Sequence, residues 1–145
     1  MIVVVADTSG LIAARSAEDP DGPGAREALR QAGLLLISPL LLAEFDHLAT
    51  REFGRPEAMH AIDDLRARLE MERAEIPHVT SRMLGLAQDI RRQYLDLDLD
   101  LADAINVVIA AEYETDVILT LDRRDFRALR PLAQFKAFRL LPDDL

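Results

Sequence analysis

The chain has 145 residues, half of them hydrophobic, which suits one globular domain over residues 1–145 and is too apolar for a disordered segment. It contains no cysteine, which excludes disulfides, thiol nucleophiles and metal centres built on thiolates. Twenty-six acidic residues against 17 basic ones give a net charge of −9, the wrong sign for a protein that coats nucleic acid nonspecifically.

Ile2–Ala6 is a short apolar, β-branched run and reads as a buried strand. It lacks a basic leader and stops at Asp7, so it does not read as a signal peptide, and no apolar run approaches the roughly 20 residues of a membrane span. A cytoplasmic protein with no membrane partner is the expectation. A helix is expected after Asp7, then a loop over Glu18–Gly24 with two prolines and two glycines. Ala25–Ala32 reads as a helix closed by Gly33, and Leu34–Ile37 as a second buried strand. Ser38-Pro39 is a helix start, with serine as N-cap and proline in the first turn, and that helix should reach Glu52. Further helices are expected over Pro56–Glu72, Ser81–Tyr94 and Asp100–Tyr113, with a short strand at Glu75-Ile76. Val117–Leu121 reads as a strand, Asp122–Leu129 as a turn and short helix, and Phe138–Leu141 as the last strand. Strands alternating with helices imply an α/β fold: a mainly parallel sheet of about five strands, covered on both faces in a three-layer α/β/α arrangement.

Four carboxylates stand out. Val3–Ala6 runs straight into Asp7, and Val117–Leu121 runs straight into Asp122. In a parallel α/β sheet, ligands bind beyond the carboxyl ends of the strands, at the topological switch point. If these two strands are neighbours there, Asp7 and Asp122 face one crevice. Aspartate is also a favoured N-cap, and their matched positions leave the two readings level. Glu44 has Leu40 and Leu48 as its neighbours one helical turn away, so its carboxylate either finds a partner or sits at the wet edge of that stripe. His47 reads as a surface residue. Asp103 occupies the third position of a helix capped by Asp100, where an acid suits the helix dipole, and Asn106 follows one turn later. The alternation Leu95–Asp100 reads as an acidic approach that packs its leucines inward. Four such carboxylates in one crevice would repel, and hard divalent ions such as Mg²⁺ or Mn²⁺ relieve that repulsion.

These pieces resemble one family. Ala6-Asp7-Thr8-Ser9 after the first strand, Ser38-Pro39 followed by Ala43-Glu44, Leu101-Ala102-Asp103-Ala104, and Leu119–Phe126 occur in the order found in PIN-domain ribonucleases of the VapC toxin type. The resemblance spans almost the whole chain and implies a PIN-like domain. It implies an Mg²⁺- or Mn²⁺-dependent endoribonuclease with Asp7, Glu44, Asp103 and Asp122 as catalytic and metal-binding residues. It also implies a structured RNA substrate such as tRNA or rRNA, a homodimer, and inhibition by a VapB-like antitoxin. Thr8 or Ser9 would orient Asp7 or bind phosphate, and Thr120 would support Asp122. Asp125 either extends the acidic cluster or caps the short helix after it, and the second reading is preferred. Arg123, Arg124 and Arg127 would then engage RNA locally. Leu48, Phe53, Met59, Ile62 and Leu65 divide between core packing and a groove for an antitoxin helix.

Two rivals remain. A receiver-type phosphotransfer domain wants adjacent acids after its first strand and a lysine after its last, whereas here Thr8 follows Asp7 and Lys136 precedes the last strand. A catalytically silent PIN fold acting as a binding module would be favoured by the loss of one acid, and all four are present.

Overall fold

Five parallel strands in the order β3-β2-β1-β4-β5 make the central sheet of the computed structural model, which describes all residues from Met1 to Leu145. They are β1 (Ile2–Ala6), β2 (Ala32–Leu36), β3 (Ala74–Glu75), β4 (Val117–Leu119) and β5 (Arg139–Leu141). Seven helices connect and cover them: α1 (Thr8–Arg15), α2 (Gly22–Gln31), α3 (Pro39–Phe53), α4 (Arg55–Glu70), α5 (Ser81–Gln93), α6 (Leu101–Glu112) and α7 (Arg123–Ala128). None is long and apolar enough to cross a membrane.

Strand residues point alternately to the two faces, and the core divides accordingly. Val4, Ala6, Leu35, Val117 and Leu119 pack with Leu11 of α1, Ala25 and Ala28 of α2, Leu41 and Phe45 of α3, and Leu65 of α4. Val5, Leu36, Ile118 and Leu140 pack with Met83 and Ile90 of α5, Ile105 and Ile109 of α6, and Phe126 of α7. Every residue of α6 from Ala104 to Ala110 is buried, so Asp103 stands just where this helix emerges from the core.

Local chemistry accounts for the helix ends. Ser38 Oγ accepts the Leu40 N–H at 3.2 Å, Thr80 Oγ1 accepts that of Met83 at 3.2 Å, and Asp100 Oδ1 accepts that of Asp103 at 2.8 Å. Gly54, at φ +89°, separates α3 from α4 in a conformation that a side chain would strain.

Some boundaries differ from expectation. Helix α2 begins at Gly22 and not Ala25, because Pro23 suits a first helical turn and its missing N–H costs nothing there. Gly33 does not close that helix. It lies inside β2, so close to Met1 that a Cβ would stand 2.1 Å from Met1 Cγ. The Leu95–Asp100 segment does not pack all its leucines inward. A 3-10 turn over Leu95–Leu97 breaks the alternation, leaving Leu95 77% exposed while Leu99 is buried. Leu65 belongs to the core and Phe53 and Ile62 pack against it, whereas Met59 stays exposed.

Helix α1 leaves the sheet beside β4 through Gly10. A Cβ there would lie 2.6 Å from Leu119 Cγ and 2.7 Å from the Leu119 carbonyl oxygen. The carbonyl belongs to the sheet and cannot swing aside. Gly10→Ala should therefore cost about 1–3 kcal/mol, the range for overpacking, and lower the urea midpoint. An unchanged midpoint would contradict this packing of α1 on β4.

Candidate active site

The register of β1 on β4 sets Ala6 opposite Leu119, and the Asp7 N–H continues the ladder by donating to Leu119 O at 3.0 Å. Asp7 and Thr120 thus leave the sheet side by side at the switch point between the two halves of the strand order. Thr120 Oγ1 donates to Asp7 Oδ2 at 2.7 Å, and Ser9 Oγ donates to the same oxygen at 2.8 Å. Both hydroxyl oxygens accept a backbone N–H in turn, Ser9 from Leu121 at 2.9 Å and Thr120 from Asp122 at 2.9 Å. Each hydroxyl has one proton, and both protons are committed to Asp7. Asn106 adds a tie from the opposite layer: its Nδ2 donates to Ala6 O at 3.2 Å, and the side chain is buried.

A cavity of about 250 Å³ opens beside this cluster. Its wall holds Asp7, Glu44, Asp103 and Asp122, the four acids singled out from the sequence, together with Asp100, Thr8, Ser9 and Leu48. No basic side chain lines it. Asp7 comes from the end of β1, Glu44 from α3 on one face of the sheet, Asp103 from α6 on the other, and Asp122 from the turn after β4.

The cap reading separates the two strand-end aspartates. Asp7 makes no capping bond. Asp122 does cap α7, accepting the Asp125 N–H at 3.3 Å, and lines the cavity as well. Asp125 is therefore not the cap. It sits in the first turn of α7, outside the cavity wall, 3.9 Å from Arg124. Asp100 was legible in sequence only as an N-cap, and the structure adds it to the cavity wall. Thr120 was expected beside Asp122 and in fact serves Asp7 and Asp122 together. His47 is exposed and lies outside the wall.

Burial and mutual repulsion disfavour the charged forms. Burial pushes the Asp7 carboxyl up, against the pull of the Thr120 and Ser9 hydroxyls, and Asp122 adds to the rise. Glu44 is raised by burial, opposed by Thr8 and reinforced by Asp100 and Asp7. Asp103 is pushed up to about 8, first by burial and then by the charges of Asp7, Asp100 and Asp122. As they stand, no three of the acids are close enough together to hold a single ion. The donor set itself is all oxygen and largely anionic, and so fits a hard divalent cation.

The nearby arginines are mostly engaged. Arg123 bridges Asp143 at 2.7 Å and Asp21 at 3.1 Å, and Arg127 holds Asp144 through two bonds of 2.8 Å. Arg124 is the least engaged of the three, 82% exposed and 3.9 Å from Asp125.

A family model described as the PIN domain matches residues 4–130. Ribonuclease VapC26 of Mycobacterium tuberculosis is 35% identical over 130 residues, covering 89% of this chain and 93% of that protein. Among solved structures, the Mycobacterium tuberculosis VapC20 toxin, described as cleaving the sarcin–ricin loop, superposes with a TM-score of 0.70 at 18% identity, covering 83% of this chain and 91% of that one. VapBC2 from Rickettsia felis, bound to a promoter DNA fragment, superposes with a TM-score of 0.66 at 13% identity, covering 96% of this chain and 98% of that one. A toxin–antitoxin complex from Klebsiella pneumoniae gives 0.61 at 20% identity, covering 87% of this chain and 92% of that one.

The raised carboxyls set the direction of a pH dependence. Between the unfolded value near 3.8 and the folded value of about 8, the native state holds more protons at Asp103 than the unfolded chain does. Stability therefore falls as pH rises through that window. After allowance for solvent screening, the loss should be on the order of 2 kcal/mol, or roughly 5 °C in Tm. Thermal melts in chelator from pH 5 to pH 8 should show this decline, and Asp103→Asn should flatten it. Equal declines in both proteins would contradict the assignment to Asp103.

Proposed function

The chain belongs to the PIN domain family, as a VapC-type member, and on that premise we propose that it is a divalent-metal-dependent endoribonuclease toxin. The observation that carries this reading is the cavity at the switch point, where five carboxylates meet and no cation of the protein offsets them. A catalytically silent binding module would have no use for so costly an arrangement.

Asp7, Glu44, Asp103 and Asp122 are the residues we assign to an Mg²⁺ or Mn²⁺ ion. When bound, such an ion supplies Lewis-acid activation of water and relief of charge on a departing oxygen. The chain's part is to hold its oxygens ready. Ser9 and Thr120 bind Oδ2 of Asp7, which leaves the lone pairs of Oδ1 for a ligand. Glu44 and Asp103 approach from opposite helical layers, so the site is anchored on both faces of the sheet. The substrate class that this reading supports is structured RNA, tRNA or rRNA, in keeping with the ribonuclease relative. Arg124, the most exposed of the three arginines of α7 and only loosely paired with Asp125, is the one we assign to gripping a phosphate.

The partner we assign is a VapB-like antitoxin, since structural neighbours include toxin–antitoxin assemblies. An arginine is the best inhibitor of this site: its planar fork matches carboxylates and it stays charged at any working pH. It would compete with the metal for the same oxygens. A homodimer is part of the same proposal.

Asp7→Asn is nearly isosteric and should fold, yet abolish RNA cleavage and the rise in Tm that millimolar Mn²⁺ or Mg²⁺ gives the parent protein. Undiminished cleavage by the folded variant would sink the assignment of Asp7. A second expectation concerns the inhibitor. Changing its site-blocking arginine to alanine should restore cleavage while the complex still forms, as read by gel filtration and RNA gels together. Continued inhibition by that variant would place the block elsewhere.

A further inference from the structure

A cavity of about 290 Å³ lies at the C-terminal end of α5, where the 3-10 turn over Leu95–Leu97 leads toward α6. Its wall is Gln88, Arg91 and Arg92 of α5, followed by Leu95, Asp98 and Leu99. It adjoins the acidic cavity through the chain itself: Leu99 is on this wall, and the next residue, Asp100, is on the other. The Arg91 guanidinium is fixed from two sides. Its Nε donates to Leu99 O at 3.0 Å and its Nη1 to Gln88 Oε1 at 3.0 Å, while Nη2 donates to nothing and the group forms no ion pair. Arg92 is 70% exposed, and its one carboxylate neighbour, Asp89, stands 3.4 Å away. Asp98, the one acid on the wall, pairs with neither arginine. The Tyr94 hydroxyl accepts the Arg130 N–H at 3.4 Å, which sets Arg130, also without an ion pair, at the same end of α5.

Arginines in the last turn of a helix suit its dipole, and a single exposed leucine is ordinary on a surface. Neither rule accounts for their meeting in one concave wall, with Leu95 77% exposed above the arginines. Two arginines against one aspartate leave this wall positive, beside a cavity with five acids and no base. An RNA strand that enters the acidic cavity needs cations of the protein close by for its other phosphates. We propose that the cavity at the end of α5 holds the nucleotide flanking the scissile phosphate, with Arg91 and Arg92 receiving its backbone phosphate and Leu95 packing against its base. RNA sites pair cations for the backbone with side chains on which a base packs, aromatic ones most often, and here a leucine takes that place. Arg91 offers Nη2 in a fixed direction, and Arg92 supplies a second, exposed charge. The inference rests on the ribonuclease reading and adds to it a place for the substrate outside the acidic cavity.

The test follows cleavage of total cellular RNA by the whole protein with Mn²⁺, reading the fastest-cut site by primer extension. It takes KM, kcat and the salt dependence of kcat/KM. Arg92→Gln should raise KM about five- to tenfold and leave kcat within about twofold, the pattern of a lost binding contact. Its log–log salt dependence should be shallower by roughly one unit, for one phosphate contact removed. Arg92→Lys should recover most of the loss, since a point charge still attracts phosphate. Leu95→Ser should raise KM about threefold or more with the salt slope unchanged, because it removes apolar contact and no charge. Arg66→Gln makes the same charge change on an exposed part of α4 and should alter none of these values. Arg92 and Leu95 are exposed, so their variants should melt with the parent protein. An unchanged KM in either variant would overturn the inference, and so would an equal effect of Arg66→Gln, which would reduce it to net charge. A parent protein that cuts no RNA overturns the ribonuclease reading together with this one. A parent that cuts, while the variants keep its KM, overturns this inference alone.

Discussion

The pairing of β1 with β4 is the contact on which the acidic site depends. These strands lie far apart in sequence, and their register of Ala6 on Leu119 brings the two residues that follow, Asp7 and Thr120, to the same edge. From that one alignment come the Thr120 bond to Asp7, the Ser9 bond to the same oxygen, and the return bonds from Leu121 and Asp122. Gly10 lets α1 lie against Leu119, which keeps Ser9 within reach. Asn106 then ties Ala6 to α6, the helix that carries Asp103 one turn earlier. A slip of one residue between β1 and β4 would turn the strand side chains to the wrong faces and separate these hydroxyls from their carboxylate.

What this alignment assembles is electrostatically unfavourable by itself. Two unit charges about 6 Å apart repel by roughly 3 kcal/mol at an effective dielectric of about 20, and five carboxylates share this wall. The protein tolerates the strain because the rest of the fold is conventional: two apolar layers close on the sheet, and most helices carry a cap or a proline in the first turn. Strain concentrated in one place on a well-packed frame is how a functional site is expected to look. Arg123 and Arg127 contribute to that frame by clamping α7 to the acidic C-terminal segment, which withdraws them from substrate binding.

Much of this was legible beforehand, for identifiable reasons. A β-branched run ending in aspartate announces both the strand and the position of its acid, as at Asp7 and Asp122. Glu44 and Asp103 were conspicuous because each is a carboxylate beside apolar helix residues. Ser38-Pro39 read directly as a helix start. The illegible parts are those that depend on distant residues. Thr120 serves Asp7 across 113 positions, and no local pattern signals it. Asp100 carries a complete local explanation as a cap, which hides its place on the cavity wall. The arginines of α7 looked available until Asp143 and Asp144 folded back on them.

The central claim is that these carboxylates form one site that a divalent ion completes. Calorimetric titration of Mn²⁺ into the metal-free protein at pH 7, in two buffers of different ionisation enthalpy, tests it most directly, because the difference between buffers counts protons. With Asp103 raised to about 8, most molecules carry a proton there at pH 7 and must give it up when an ion binds. The account predicts binding with release of close to one proton, and Asp103→Asn should lose the proton release. Binding without proton release, or no binding to the parent protein, would contradict it.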